Sequence, residues 1–565
     1  YVDSLPATVD IGPGSPVGAT FGYGAKFPAK YQNALYILDW TFATIYAIHL
    51  EADGASYKGV KEEFLSKTPL PLTDAAVGPD GALYFTVGGR GTQSALYRVT
   101  YTGDESTAPA RANDTRFAQL RELRHQMEAL QRPASADAID KIWPQLGHAD
   151  RHIRYAARVA LEHQDTMLWQ ERALAEQNPV AAIQAIVALA RQGDKTLQPQ
   201  LLATLGRIDL ARLDEQQLLD ALRAYQLVFT RTGQTDNKTA ATLARRLDPL
   251  YPAQSNSVNR ELSRLLVYLN SPTVAGKTLT LLESDIEVTQ EEMAQLLARN
   301  QGYGGPIAKM LGNQPEIEKL HLAFVLRNLR YGWTIEERKR YFDFLNAQAQ
   351  KSGGASFGGF INNIRNEAMG NASESERAAL AATSPPPKPV DLPQPKGPGK
   401  VWSVDEVATL AGRSLTDRDF NNGKRTYAAA RCIVCHRFYG DGGATGPDLT
   451  NVSGRFSYRD LAESLIDPSK VISDQYGASI VETGDGKVVT GRVVGDDGKT
   501  LTMQTDPEDA ATVVEIAKDN VELLTAASVS LMPDKLLDAL NDQEVLDLIA
   551  YLMSRGNPED PMFKE

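Results

Sequence analysis

Cysteine is almost missing from this chain: 565 residues contain two, Cys432 and Cys435. A zinc site would need ligands from elsewhere, and no second Cys-x-x-Cys exists to supply them. No run of eighteen apolar residues occurs, so nothing in the sequence spans a bilayer as a helix. The chain begins at Tyr1, with neither an initiator Met nor a signal h-region. No histidine follows His436. Excess positive charge is also lacking, since the formal net charge is −12. Apolar residues at 42% and charged residues at 23% are otherwise those of an ordinary globular protein, and the length calls for three or four domains.

What is present is Cys432-Ile433-Val434-Cys435-His436, a C-x-x-C-H run. Two thiols at this spacing followed by a histidine are what covalent c-type haem attachment requires. The thiols add across the two vinyl groups, and the imidazole becomes an axial ligand of the iron. A thioredoxin-like redox pair shares the spacing, but the flanking sequence lacks a βαβ pattern. Covalent haem attachment takes place outside the cytoplasm, so a periplasmic or otherwise extracytoplasmic protein that has lost an export signal is expected.

Charge is unevenly placed. Residues 401–565 carry 16 Lys and Arg against 28 Asp and Glu, while residues 1–400 balance at 43 each. Acidity around the C-x-x-C-H run excludes nucleic acid, whose phosphates it would repel. It suits a redox partner protein with a basic docking face, or serves solubility alone.

Residues 1–110 read as β. Apolar, aromatic-rich runs at 34–40, 45–50, 82–87 and 95–99 are separated by turn residues such as Asp80-Gly81 and the Gly88–Gly91 loop. This is the pattern of propeller blades, and it resembles the last blades of quinoprotein glucose/sorbosone dehydrogenase-like propellers. About two blades fit here, so further blades would come from upstream of Tyr1 or from a second polypeptide. His49 reads as a packed strand residue. Asp39, Asp74 and Arg90 read as turn or cap residues, with pocket lining as the alternative.

Residues 111–382 switch to a helical period. Asp150 caps a helix whose stripe is Ile153, Ala156, Ala157, Ala160 and Leu161, and Val187-Ala188-Leu189 repeats Val159-Ala160-Leu161 behind Asn178-Pro179. Small residues and regular caps predict a HEAT-like α-solenoid, with an irregular bundle as the alternative. His125, His148, His152 and His163 lie in or beside these helices without a ligand cluster. Residues 383–400 form a linker with seven prolines between Pro385 and Pro398, expected to be extended and semi-rigid.

Residues 401–565 form the expected haem domain. A helix at 423–431 should run straight into Cys432. A last helix opens on Asn541 with Glu544 three residues on, a capping box. Gly423, Tyr427 and Tyr551 resemble the crossing of first and last helices in class I cytochromes c, and Gly446-Pro447-Asp448-Leu449 resembles the loop of that family. The resemblance implies that the Pro447 carbonyl bonds the proximal His436. It also implies that Met532, in Met532-Pro533 before the last helix, is the sixth ligand, whereas Met503 and Met553 read as core sulfurs. The 95 residues between His436 and Met532 exceed a minimal domain. They contain strand-like runs split by Asp485-Gly486-Lys487 and Asp497-Gly498-Lys499, which predict a small antiparallel sheet inserted around 478–524. The Asp-rich turns lack calcium-loop spacing.

Taken whole, and with the stretch Gly12–Pro28, the chain resembles the planctomycete and verrucomicrobial haem-binding C-x-x-C-H proteins known as membrane-bound dehydrogenases. That resemblance implies extracytoplasmic electron transfer at a membrane, with a sugar or alcohol dehydrogenase activity in the propeller. A complete propeller would take pyrroloquinoline quinone and calcium and a carbohydrate substrate. The alternative is a non-enzymatic binding or scaffold protein whose haem is a relay in a larger assembly.

Overall fold

Alternating side chains bury one face of the strand Leu35–Asp39 (β2), leaving Tyr36 and Leu38 without solvent exposure. In this computed structural model the described residues are 2–11, 14–89, 92–110, 114–133, 136–284, 316–349, 355–383, 392–439, 441–443, 445–508 and 512–564. Strand β2 lies between Pro16–Phe21 (β1) and Thr44–Asp53 (β3), and Ser56–Ser66 (β4) completes an antiparallel sheet of order β1-β2-β3-β4. A second antiparallel sheet contains Leu72–Val77 (β5), Leu83–Gly89 (β6) and Thr92–Val99 (β7). Tyr36, Leu38 and Ile45 of the first sheet share one apolar core with Leu72, Leu83 and Phe85 of the second.

All four expected strand runs are strands. Three more were hidden by their composition. Strand β4 carries Lys58, Lys61, Glu62 and Glu63 and buries no face completely, so it has no apolar alternation to detect. Asp39 proves to be a buried turn residue, its Oδ1 accepting from the backbone N–H groups of Ser15, Thr41 and Phe42. The Asp74 carboxylate accepts from the adjacent Ala75 N–H. Gly12, Pro13, Arg90 and Gly91 lie outside the described residues.

From Ala118 to Thr383 the described residues are mainly helical. The helices Ala118–Ala129, Arg151–Glu162, Pro179–Gln192, Glu215–Thr232 and Asn256–Tyr268 pack each against the next around one continuous apolar core. Their starts are set locally. Asp150 accepts from the N–H groups of His152 and Ile153, and Asn178 from those of Val180 and Ala181, as capping residues do. Asp150 has a second role, because its Oδ2 accepts from Ala55 N at 2.7 Å and joins the β3–β4 turn to the helices.

Residues 384–391, with Pro385, Pro386, Pro387 and Pro389, lie outside the described residues. The remainder of the expected linker is not a free tether. Lys396 N and Gly397 N donate to the buried Glu544 carboxylate at 2.8 and 3.2 Å, and Asn541 Nδ2 donates to Gly397 O at 2.9 Å. Arg425 also pairs with Glu544. Lys396 and Gly397 are therefore clamped to the start of the last helix. A carboxylate acting on a segment about 150 residues earlier leaves no local signal.

The C-terminal region holds the helices Val404–Ser414, Phe420–Ala429, Tyr458–Ile466 and Asp542–Met553 around one core. The capping box at Asn541 and Glu544 is present in both directions. After His436 the two-residue strands Arg437–Phe438 (β8) and Asp441–Gly442 (β9) pair antiparallel. The inserted sheet is antiparallel, of order β13-β12-β11-β10-β14, built from Ser479–Thr483 (β10), Val488–Asp496 (β11), Thr500–Gln504 (β12), Val513–Ala517 (β13) and Val521–Ala526 (β14). Its fifth strand, β14, was not anticipated; it pairs with β10 and exposes Leu523 and Leu524. Asp497 accepts from Lys499 N and Thr500 N, so this aspartate closes its hairpin as a turn residue.

Candidate functional site

Two helices distant in sequence build the frame. Phe420–Ala429 crosses Asp542–Met553 at Gly423, where a Cβ would lie 2.4 Å from the Asp547 carbonyl and 2.8 Å from Tyr551 Cβ. Only hydrogen fits that approach. One turn on, Tyr427, Phe438 and Tyr551 pack ring against ring, with centroids 4.8–6.0 Å apart. The crossing expected at Gly423, Tyr427 and Tyr551 is thus in place.

The first helix does not run into Cys432 as the sequence suggested. It ends at Ala429, and Arg431 adopts a left-handed conformation, φ 61°, before a separate turn, Cys432–Cys435. Arg431 is held there by Glu508, from the segment between β12 and β13. The break swings both thiols onto one turn. Cys432 is buried, and Cys435 Sγ lies 3.2 Å from Pro507 O. Arg492 of β11 donates to Thr445 O at 3.1 Å. The inserted sheet therefore borders the cysteine turn and the loop after His436.

His436 is 8% exposed and fixed from several sides. Its N–H donates to Cys432 O at 2.8 Å, and its carbonyl accepts from the Tyr427 hydroxyl at 2.8 Å. Its Nδ1–H donates to Pro447 O at 2.9 Å. That bond sets the tautomer and leaves the lone pair on Nε2, the nitrogen an iron would take. Gly446 lies flat against the ring: a Cβ there would sit 2.8 Å from Cε1 and 2.9 Å from Nδ1. Gly442, with φ 108°, comes close under the His436 carbonyl.

Electrostatics separates the two readings of the cysteine pair. Burial pushes the Cys432 thiol up to about 12 and raises Cys435 as well. A dithiol redox centre needs the opposite, a thiolate stabilised at neutral pH. Burial also lowers His436, against the pull of the Pro447 carbonyl, keeping the imidazole neutral as a metal ligand must be. Among the described residues no three His, Cys, Asp or Glu side chains group to hold a metal by themselves. Two free thiols on one turn, a neutral imidazole with one nitrogen engaged, and glycines where a side chain would obstruct the ring fit a covalently held haem.

A family model for cytochrome c matches residues 420–515. The chain carries a cytochrome c domain. Such a domain implies covalently bound haem c and haem-based electron transfer. The match includes Cys432, Cys435, His436 and Pro447, covers about a sixth of the chain, and ends before Met532. No curated protein matches the chain.

Met532 packs, partly buried, against the core of this domain, its N–H bonded to Ser530 Oγ at 3.1 Å. Met553 also borders that core, whereas Met503 is buried in the separate core of the inserted sheet with Val481 and Ile516. The remaining histidines lie elsewhere. His49 pairs with Glu62 at 2.7 Å, and His148 and His152 contact the cap residue Asp150. No helix among the described residues is long and apolar enough to cross a membrane. Sequence reasoning missed Gly442, Gly446 as a wall of the imidazole, and the sheet's contact with Cys435. A glycine-rich stretch after the motif was the only signal for the first two.

Proposed function

We propose that the chain is an extracytoplasmic c-type cytochrome whose single haem is held by thioethers to Cys432 and Cys435 and ligated by His436 and Met532. In this reading the N-terminal strands are blades of a propeller of sugar or alcohol dehydrogenase type, the helices are a HEAT-like scaffold, and the haem domain is the electron outlet. The observation that carries it is the Pro447 bond to His436, because it fixes the one tautomer that can ligate iron through Nε2. Haem c, when bound, would supply a one-electron couple, with Met/His ligation favouring a raised potential. The protein's own part is to hold the imidazole neutral and oriented, with the inserted sheet bordering the turn whose thiols would hold the haem.

The test begins with the pyridine haemochrome spectrum and intact mass of the exported chain. One covalent haem that disappears in Cys432→Ala/Cys435→Ala is expected; free, alkylatable thiols in the parent would refute the reading. Met532→Ala should abolish the low-spin spectrum of the sixth ligand, and an unchanged spectrum would exclude Met532. Sugar-dependent haem reduction, with and without pyrroloquinoline quinone and calcium, then tests the dehydrogenase role. Absence of reduction by any sugar in a chain with a complete propeller would favour a non-enzymatic relay.

A further inference from the structure

The N-terminal sheets rest on residues 453–455, just after the loop whose Pro447 carbonyl bonds His436. Leu70 N donates to Gly454 O at 2.9 Å, and Gly454 is a glycine at a close approach, since a Cβ would lie 3.0 Å from Thr41 O. Arg555, at the end of the last helix, donates to Ser453 Oγ at 3.1 Å and to Thr68 Oγ1 at 2.9 Å, bridging the same seam. Next to Gly454, Arg455 places its guanidinium 4.9 Å from the centre of the Trp40 ring. The same guanidinium donates to Asp448 O at 3.3 Å. Asp448 follows Pro447, the residue whose carbonyl bonds His436 Nδ1.

These contacts form one connected series: Trp40 ring, Arg455 guanidinium, Asp448 peptide, Pro447 carbonyl, His436 imidazole. We propose that Trp40 is a positioning residue for the haem site: by stacking on Arg455 it lets the docked N-terminal sheets hold the proximal loop, and so makes the haem's reduction potential depend on them. The inference rests on His436 being the proximal ligand, and it adds a dependence of that ligand on a sheet about 400 residues away in sequence.

The sign follows from charge. A cation held on the loop that carries the Pro447 carbonyl would favour the ferrous form of a bound haem, which carries one positive charge fewer than the ferric. Trp40 retains the cation over its face, and a partly desolvated cation–π contact is worth about 1–2 kcal/mol, enough to keep a long side chain from swinging into water. Removing either partner should therefore lower the potential. Removing both should do no more than removing one, because each loss releases the same cation.

The experiment uses the full, haem-loaded chain and measures the half-reduction point by spectroelectrochemistry. It also records the low-spin electron paramagnetic resonance spectrum, which reports imidazole orientation. Trp40→Leu and Arg455→Gln should each lower the reduced-to-oxidised ratio at fixed potential three- to tenfold (tenfold is about 59 mV for one electron). The double variant should match the singles, and Trp40→Phe, which keeps a ring, should stay near the parent. Parent-like potentials in the folded single variants, or additive shifts in the double, would overturn the proposal. Should the leucine and glutamine variants fail to fold, Trp40→Phe and Arg455→Lys decide. A parent-like Trp40→Phe with a displaced resonance spectrum in Arg455→Lys, which loses the planar fork, supports the link; any other pattern refutes it. Failure to find any covalent haem sinks the haem reading instead, so the two failures are distinct.

Discussion

Gly423→Ala sets two effects of opposite sign against each other at the helix crossing. Alanine is the better helix former by about 1 kcal/mol, so propensity alone predicts stabilisation. The new methyl, however, would start 2.4 Å from the Asp547 carbonyl, and ordinary contact begins near 3.4 Å. A backbone carbonyl inside a helix cannot rotate away, so the two helices must separate by about 1 Å. That separation opens the contact of Tyr427 with Tyr551, and gaps of 0.5–1 Å forfeit about a quarter to a half of each dispersion well. Overpacking of this kind costs about 1–3 kcal/mol, which offsets the propensity gain and leaves a net loss of up to about 2 kcal/mol. Gly412 is the control: it lies in the neighbouring helix Val404–Ser414 with nothing within 4 Å of the Cβ position, so Gly412→Ala should gain about 0.5–1 kcal/mol. The assay is denaturant unfolding of the haem-loaded chain followed in the haem absorption band, which isolates this domain's transition. A Gly423→Ala variant as stable as Gly412→Ala would refute the packing argument.

Tyr427→Phe removes the hydroxyl that bonds the His436 carbonyl, and should cost about 1–2 kcal/mol in the same assay with the ring packing intact. Burial works to raise the Glu544 carboxyl, but the N–H groups of Lys396 and Asn541, then Arg425 and Gly397, outweigh it and hold it below the usual carboxylate range. Its contribution is therefore present in full above the unfolded carboxylate value and is lost as pH falls through the lower folded one. An acid titration of stability should show this loss in the parent and not in Glu544→Gln; identical acid profiles would refute it. Asp39→Ala leaves three backbone N–H groups at Ser15, Thr41 and Phe42 without their acceptor, and should destabilise the N-terminal sheets by on the order of 3 kcal/mol, read by hydrogen exchange in β2 and β3.

Local chemistry was legible in the sequence. The C-x-x-C-H spacing, the caps Asp150, Asn178 and Asn541, and the Asp-Gly turns of the inserted sheet each act on groups within a few residues, so their pattern survives in one dimension. Tertiary structure alone decided what long-range pairing controls. The charged strand β4 is held by its ladder to β3 and shows no apolar alternation. The left-handed turn at Arg431 and the clamp of Lys396 and Gly397 by Glu544 depend on partners about 77 and 150 residues away. The seating of Trp40 against Arg455 joins opposite ends of the chain. Such contacts arise only where packing brings distant backbone together, and neither partner carries a mark of the other in its own neighbourhood.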